Sequence, residues 1–134
     1  MGVAICGRGV KMTIPKFRAW FKQGSKMVNV ATIDFLEKEV KSHANVMYSF
    51  DEIELMQSTG LIDKNGEEIF EGDVLLTYDD ELAKVYWDDV LAGWFVDFIY
   101  ETAELSEVAD LQSSRSICKI IGNIYENPEL LEEK

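Results

Sequence analysis

The sequence predicts a mainly β domain with short helices, of the small barrel or sandwich type. Apolar and polar residues alternate with a period of two in several segments, as they do in strands that are buried on one face. Glycine, asparagine and aspartate recur between these segments, which is typical of short strands joined by tight turns. A chain of 134 residues, 47% of them hydrophobic, is long enough for one core and indicates a single domain.

The first part of this domain is predicted to be a β-hairpin. Residues 14–21 (IPKFRAWF) alternate, KQGSK supplies a turn, and MVNVATI fits the returning strand. Residues 34–43 (DFLEKEVKSH) fit a short helix capped by Asp34, although an edge strand fits nearly as well. Residues 44–61 then indicate extended structure with mixed polar and apolar positions.

The second part is predicted to contain three further strands and two helical turns. Residues 82–87 (LAKVYW) and 93–100 (GWFVDFIY) alternate cleanly. Residues 102–111 place apolar side chains at helical offsets, which favours a short helix or helical turn. A broken strand is expected at 117–125 (ICKIIGNIY), and the proline in 126–133 (ENPELLEE) favours a terminal helical turn.

The stretch TGLIDKNGEEIFEGDVL, residues 59–75, resembles a ligand-binding motif but predicts tight turns. A calcium loop that starts at Asp63 would need glycine at its sixth position, and here glycine comes at the fourth. No phosphate-binding glycine loop of the GxxxxGK[ST] type is present in the sequence. Asn65-Gly66 is instead a strong hairpin signal, because both residues accept a positive φ, and Gly72-Asp73 fits a tight bend that leads into a strand.

Clustered aspartates offer a weak enzymatic alternative. Asp79, Asp80, Asp88 and Asp89 are the residues that a metal-assisted hydrolase would use. They come where alternating segments stop, which favours solvated turn acids, and the lone His43 has no partner at metal-ligand spacing and fits a surface residue. We therefore expect no catalytic residue, no cofactor and no metal.

The tryptophans allow two interpretations. Trp20, Trp87 and Trp94 would form a stacking platform for bases or a peptide groove if they were exposed. Their positions on alternating strands favour core packing, because aromatic side chains bury the most area in a small β domain.

Charge is distributed unevenly along a chain whose formal net charge is −12. Residues 1–50 contain 8 basic and 3 acidic residues, a net +5, whereas residues 51–134 contain 5 basic and 22 acidic residues, a net −17. This balance disfavours binding to a phosphate backbone unless the early basic residues share one face. The candidate interaction residues on that strand are Lys16, Arg18, Trp20 and Lys22, although a solvated strand face is the simpler interpretation.

The two cysteines and the N-terminus point to a cytoplasmic protein. Cys6 and Cys118 lie far apart without a CxxC motif, so reduced thiols are the simplest interpretation. No stretch has the length of a signal-peptide core or a membrane span. Because Met12 precedes the first alternating segment, residues 1–11 are predicted to be an extension and residues 12–134 the domain.

The order IPKFRAWFKQGSKM, ELMQSTGLIDKNGEEIFEGDVL, AKVYW and IIGNIYENPELL resembles the YopX family of small proteins encoded by phages and prophages. The resemblance runs from about residue 14 to residue 131. It implies a compact β-rich fold with an SH3-like barrel component, here preceded by the N-terminal hairpin, and a setting inside a bacterial host cell. It implies no known reaction and no catalytic residues.

Three functions of different classes remain open at this level. We expect a non-enzymatic accessory protein that acts through protein contacts and forms a homo-oligomer, in which basic and acidic regions of different subunits pair. The main alternative is a nucleic-acid-associated module, or an acidic mimic of DNA that occupies a DNA-binding protein. A metal-assisted hydrolase is the least favoured.

Overall fold

The structure, a computed structural model, describes residues 14–132 and forms two antiparallel sheets from eleven strands. The first sheet contains Phe17–Phe21 (β1), Lys26–Asp34 (β2), Glu39–Ser42 (β3), Met47–Ser49 (β4), Ile53–Ile62 (β5) and Glu68–Phe70 (β6). The second contains Asp73–Thr77 (β7), Leu82–Asp88 (β8), Gly93–Asp97 (β9), Thr102–Glu104 (β10) and Cys118–Asn123 (β11). The mainly β prediction is confirmed, whereas the predicted extension at residues 1–11 lies outside the described residues.

The first sheet has the strand order β4-β3-β2-β1-β5-β6 and contains the predicted hairpin. Strands β1 and β2 pair with Arg18 opposite Asn29, and β1 is a central strand because its other edge pairs with β5. The apolar face of this sheet forms a small core of buried side chains: Ala19, Val28, Val40, Tyr48 and Ile53.

The helix predicted for residues 34–43 is wrong. Residues 35–38 form a turn in which the carboxylate of Asp34 accepts the backbone N–H groups of Leu36 and Glu37, each at 3.0 Å. Strand β3 follows and lies between β2 and β4, so it is not an edge strand. Its Val40 is fully buried in the core of the first sheet, and β3 pairs with a strand on each side. The burial that these long-range pairings provide decides against the helix.

The second sheet has the order β10-β9-β8-β7-β11 and forms the larger core. Strand β8 confirms the first alternating segment, and β9 confirms the second over residues 93–97, whereas residues 98–100 belong to the turn that follows. Strand β11 contains the predicted irregularity as a register shift between Ile120 and Gly122. The helical turns expected in residues 102–111 and near the C-terminus are present as 3₁₀ turns, Leu105–Glu107 and Pro128–Leu131. In the part of the chain that the structure describes, no strand pairing closes either sheet into a barrel.

The two sheets meet at the bend between β6 and β7. Gly72 has φ of +88° there, and its N–H donates to the carbonyl of Val85 at 2.9 Å while its own carbonyl accepts the N–H of Ile124 at 2.9 Å. A Cβ on this residue would lie 3.4 Å from Sδ of Met56, so the predicted Gly-Asp bend is confirmed and tightly packed.

The Asn65-Gly66 turn is also confirmed, with one difference in its backbone. Gly66 has φ of +83°, whereas Asn65 is not among the residues with positive φ. The N–H of Gly66 donates to the carbonyl of Asp63, and the N–H of Asp63 donates to the carbonyl of Glu67. Only the glycine therefore needs the left-handed conformation, because Asp63 begins the turn.

Candidate functional site

The four predicted interaction residues are Arg18 and Trp20 of β1 together with Lys16 and Lys22, which directly precede and follow this strand. Each of the four contacts a residue between positions 54 and 73 or Tyr125. Lys16 pairs with Glu68 at 3.5 Å, and Lys22 pairs with Glu54 at 3.6 Å. Trp20 stacks on Tyr125 with 5.7 Å between ring centroids. These exposed or half-exposed contacts leave Lys16 and Lys22 available to a partner, since exposed ion pairs are worth only about 0–1 kcal/mol.

Arg18 is the exception, because its guanidinium is buried between the two sheets. Its Nη2 donates to Oδ1 of Asp73 at 2.7 Å and to the carbonyl of Glu71 at 3.2 Å, and its Cζ lies 4.8 Å from the ring centroid of Phe70. The side chains of Arg18 and Asp73 are only 12% and 2% exposed. The interpretation of β1 as a solvated strand face is therefore wrong for Arg18, which links the sheets within one chain.

Asp73 is held by two different donors. The N–H of Phe70 donates to its Oδ2 at 2.8 Å, while Arg18 occupies Oδ1. Burial raises the pKa of the Asp73 carboxyl above its ordinary value, and the nearby charge of Arg18 offsets part of that rise. This carboxylate is fully engaged inside the protein, so it is a structural group and offers no open acid or base.

Asp63 is a second buried carboxylate, and sequence reasoning missed its role. Its Oδ1 accepts the N–H groups of Asn65 at 2.9 Å and Glu67 at 2.8 Å, and its Oδ2 accepts the N–H of Ile120 on β11 at 2.9 Å. One side chain thus fixes the turn after β5 and ties it to the second sheet. An aspartate two residues before Asn-Gly was the available signal, because aspartate side chains accept N–H groups two positions on.

The clustered aspartates are turn residues, as the sequence favoured. Oδ1 of Asp88 accepts the N–H groups of Val90 at 2.9 Å and Leu91 at 3.0 Å, and Asp79 accepts the hydroxyl of Thr77. Within residues 14–132, no group of three or more histidine, cysteine, aspartate or glutamate side chains is arranged to hold a metal ion.

The hairpin turns present large apolar side chains to solvent, which the sequence did not predict. In the β2–β3 turn Leu36 is 85% exposed, and in the β8–β9 turn Val90 is 91% exposed. Turns are normally polar, and apolar side chains that solvent reaches at several turns indicate contact surfaces. The exposed large apolar residues in the five hairpin turns that share this property are Phe35, Leu36, Val46, Tyr78, Val90, Leu91, Ile99 and Tyr100.

The tryptophans of the second sheet lie at the rim of its core. Trp87 and Trp94 are cross-strand neighbours in an edge-to-face arrangement, with ring centroids 5.1 Å apart. Trp94 packs against the core and lines a groove of about 690 Å³ with Leu111 and Ile14, whereas Trp87 is 43% exposed. The prediction of core packing is wrong for Trp87.

Cys118 and His43 lie in opposite environments, one buried and one exposed. Cys118 is fully buried, and burial raises the pKa of its thiol to about 11, which removes it as a nucleophile at neutral pH. His43 is exposed in the β3–β4 turn, as expected for a surface residue. Cys6 lies outside the described residues. No helix in the described part of the chain is long and apolar enough to cross a membrane.

The chain is similar to a known protein family and to a protein of known structure. Residues 16–132 match a family model described as YopX protein. The crystal structure of protein EF1440 from Enterococcus faecalis is similar to the chain, with a TM-score of 0.65 and 32% sequence identity, over 90% of this chain and 100% of that chain. No curated protein matches the sequence.

Proposed function

The chain belongs to the YopX family, and we propose that it acts through protein–protein contacts, including contacts with further copies of itself, and not as an enzyme. The observation that carries this proposal is the exposure of large apolar side chains on hairpin turns of both sheets. Water solvates such side chains poorly, so a partner that covered them would gain free energy of about 25 cal/mol for each Å² removed from solvent.

Side-chain hydrogen bonds order the backbone of two of these turns, which favours binding. Asp34 and Asp88 each accept two backbone N–H groups of the turn that follows them. A surface that is already ordered loses little conformational entropy when a partner docks.

The basic residues of β1 support protein contacts better than contacts with nucleic acid. Arg18 is taken into the buried pair with Asp73, and Lys16 and Lys22 each lie beside a glutamate. The glutamates beside both lysines would repel the phosphates of a nucleic-acid backbone, whereas a protein partner can pair with either charge. Asp88, which accepts two backbone N–H groups, and Asp79, which accepts the hydroxyl of Thr77, likewise give a hydrolase no support.

We further propose the setting and fold detail that the family resemblance implies: an accessory protein of a phage or prophage, working in the cytoplasm of its bacterial host. The strand order β10-β9-β8-β7-β11, with 3₁₀ turns before the last strand, supports an SH3-like component in the second sheet. The first sheet then contributes the N-terminal hairpin extension.

The test combines solution mass with partner capture. Light scattering over a range of concentrations should show a mass that rises above that of the 15.3 kDa monomer. In parallel, tagged protein incubated with bacterial lysate, with and without nuclease, should retain the same protein partners in both halves. A strict monomer that retains nothing, or partners that are all lost on nuclease treatment, would contradict the proposal.

A further inference from the structure

We propose that copies of this chain associate head to tail, with an apolar, acid-rimmed cleft on the second sheet of one copy receiving an apolar, basic patch on the first sheet of the next. This inference rests on the self-association proposed above and assigns it two specific surfaces. Both surfaces lie outside the internal contacts of β1.

The first surface, the acidic cleft, lies between the β8–β9 strands and the terminal 3₁₀ turn. It has a volume of about 600 Å³, within the range of pockets that bind ligands or side chains. Its apolar residues include Ile99, which is 70% exposed, and the exposed Leu131. Three carboxylates, on Asp97, Glu129 and Glu132, line it against a single lysine, Lys84.

The surroundings strengthen the negative charge of this cleft. The β7–β8 turn that precedes Leu82 contributes the run Asp79, Asp80 and Glu81, and Glu101 follows the turn that carries Ile99. An apolar partner that carried cations would therefore be favoured here, and an acidic one would be repelled.

The second surface, the basic patch, lies where the β3–β4 turn meets the start of β2. Lys26, His43 and Val46 line one hollow of about 300 Å³. Met47, which is 51% exposed, is the cross-strand neighbour of Lys41 on the adjoining strand pair. Residues 22–33 and 40–50 contain no acidic residue, so no carboxylate of these segments offsets the lysines.

The position of this patch suits docking of another copy. Strand β4 is the outer strand of the first sheet, and Met47–Ser49 (MYS) contains no charged residue or proline. Edge strands of monomeric proteins usually carry such residues, which discourage other chains from approaching. The patch thus combines a short edge strand without charged residues, exposed apolar side chains and the positive charge of Lys26 and Lys41.

The two surfaces differ and lie on different sheets, so the contact joins unlike faces of neighbouring copies. Such a contact generates chains or rings of copies and not a two-fold symmetric dimer. Because the charges at both surfaces are exposed, association should weaken as salt is added.

The test uses one variant for each surface. Ile99→Lys places a cation in the cleft and leaves the patch intact, whereas Met47→Glu places an anion in the patch and leaves the cleft intact. Leu111→Lys and Ile117→Glu make the same charge changes at exposed apolar positions outside both surfaces. Circular dichroism and urea unfolding should show that all four variants fold.

Sedimentation velocity should then show that the wild type and the two control variants assemble as concentration rises. Ile99→Lys and Met47→Glu should each weaken self-association by about ten-fold or more, the effect expected of a like charge placed in a complementary contact. Mixed in equal amounts, the two variants should form a 1:1 complex, because one supplies an intact patch and the other an intact cleft.

Each other outcome overturns a defined part of this reasoning. A wild type that stays monomeric at all concentrations would remove both the head-to-tail contact and the proposed self-association. A wild type that assembles while both variants assemble equally well, or a mixture that stays monomeric, would refute the two surfaces and leave self-association standing.

Discussion

Removing the cation of the buried Arg18–Asp73 pair should destabilise the fold strongly. In Arg18→Met the stem of the side chain is kept, but Asp73, whose side chain is only 2% exposed, loses its charged partner and keeps only the N–H of Phe70. Breaking a buried pair from one side costs about 3–5 kcal/mol, and losing the contact of the guanidinium with the Phe70 ring adds about 0.5–1 kcal/mol. We therefore expect the free energy of unfolding to fall by about 3.5–6 kcal/mol.

The exposed pair of Lys22 and Glu54 provides the matched control. Its charges are 3.6 Å apart and its side chains are about half exposed, so Lys22→Met should cost no more than about 1 kcal/mol. The double variant Arg18→Met with Asp73→Asn should recover most of the loss of the single variant. In the double variant an amide oxygen still accepts the N–H of Phe70, and no unpaired carboxylate is left buried.

Urea unfolding at several pH values separates this explanation from a simple packing defect. Without Arg18, burial should raise the pKa of Asp73 further, so the deficit of Arg18→Met should shrink as the pH falls and the carboxyl is protonated. The deficit of Asp73→Asn should persist, because a guanidinium does not deprotonate. A loss for Arg18→Met as small as that for Lys22→Met, or a deficit independent of pH, would refute the reasoning.

Three further predictions concern single residues. Asp63→Ala leaves three N–H groups without their acceptor and should cost at least about 3 kcal/mol in urea unfolding. Asp88→Ala, whose two bonds are exposed, should cost only about 1 kcal/mol, and equal losses would contradict the assigned roles. Because the pKa of Cys118 is raised from 9.0 to about 11, wild-type stability should fall as pH rises through that interval. Cys118→Ala should not show this decrease in stability, and identical pH profiles for the wild type and Cys118→Ala would contradict the role assigned to the thiol. In Gly122→Ala the new Cβ would lie 2.5 Å from Oδ1 of Asn127, so we expect the free energy of unfolding to fall by about 1–3 kcal/mol. Because Oδ1 of Asn127 accepts the N–H of Asn123, amide exchange at Asn123 should become faster, and an unchanged exchange rate would contradict this prediction.

The candidate interaction residues show how far a single sequence can be interpreted. Alternation placed Arg18 and Trp20 on one face of β1, with Lys16 just before the strand on the same side, and their contacts agree with this. Alternation gives the face of a strand but not what packs against it. The partner of Arg18 is 55 residues further along the chain, and no local pattern links Arg18 to Asp73.

The same limit explains the exposed turns and the tryptophans. Turn chemistry at Asp34 and Asp88 follows from short-range hydrogen bonds, so turns of this kind can be predicted. Whether the apolar residues beside these aspartates are buried depends on how the rest of the protein packs, and that packing leaves Leu36 and Val90 exposed to solvent.

The sequence by itself determined the β class, most of the strands, the glycine turns and the family. These depend on residue spacing, backbone preferences and ordered motifs, all of which act locally or can be recognised along the chain. Only the tertiary structure decided that residues 39–42 pair as an inner strand, that Arg18, Asp63 and Asp73 are internal locks, and that an acidic cleft and a basic patch lie on different sheets. These features depend on which segments, distant along the chain, pack together and exclude water. The packing of the two sheets as a whole determines this.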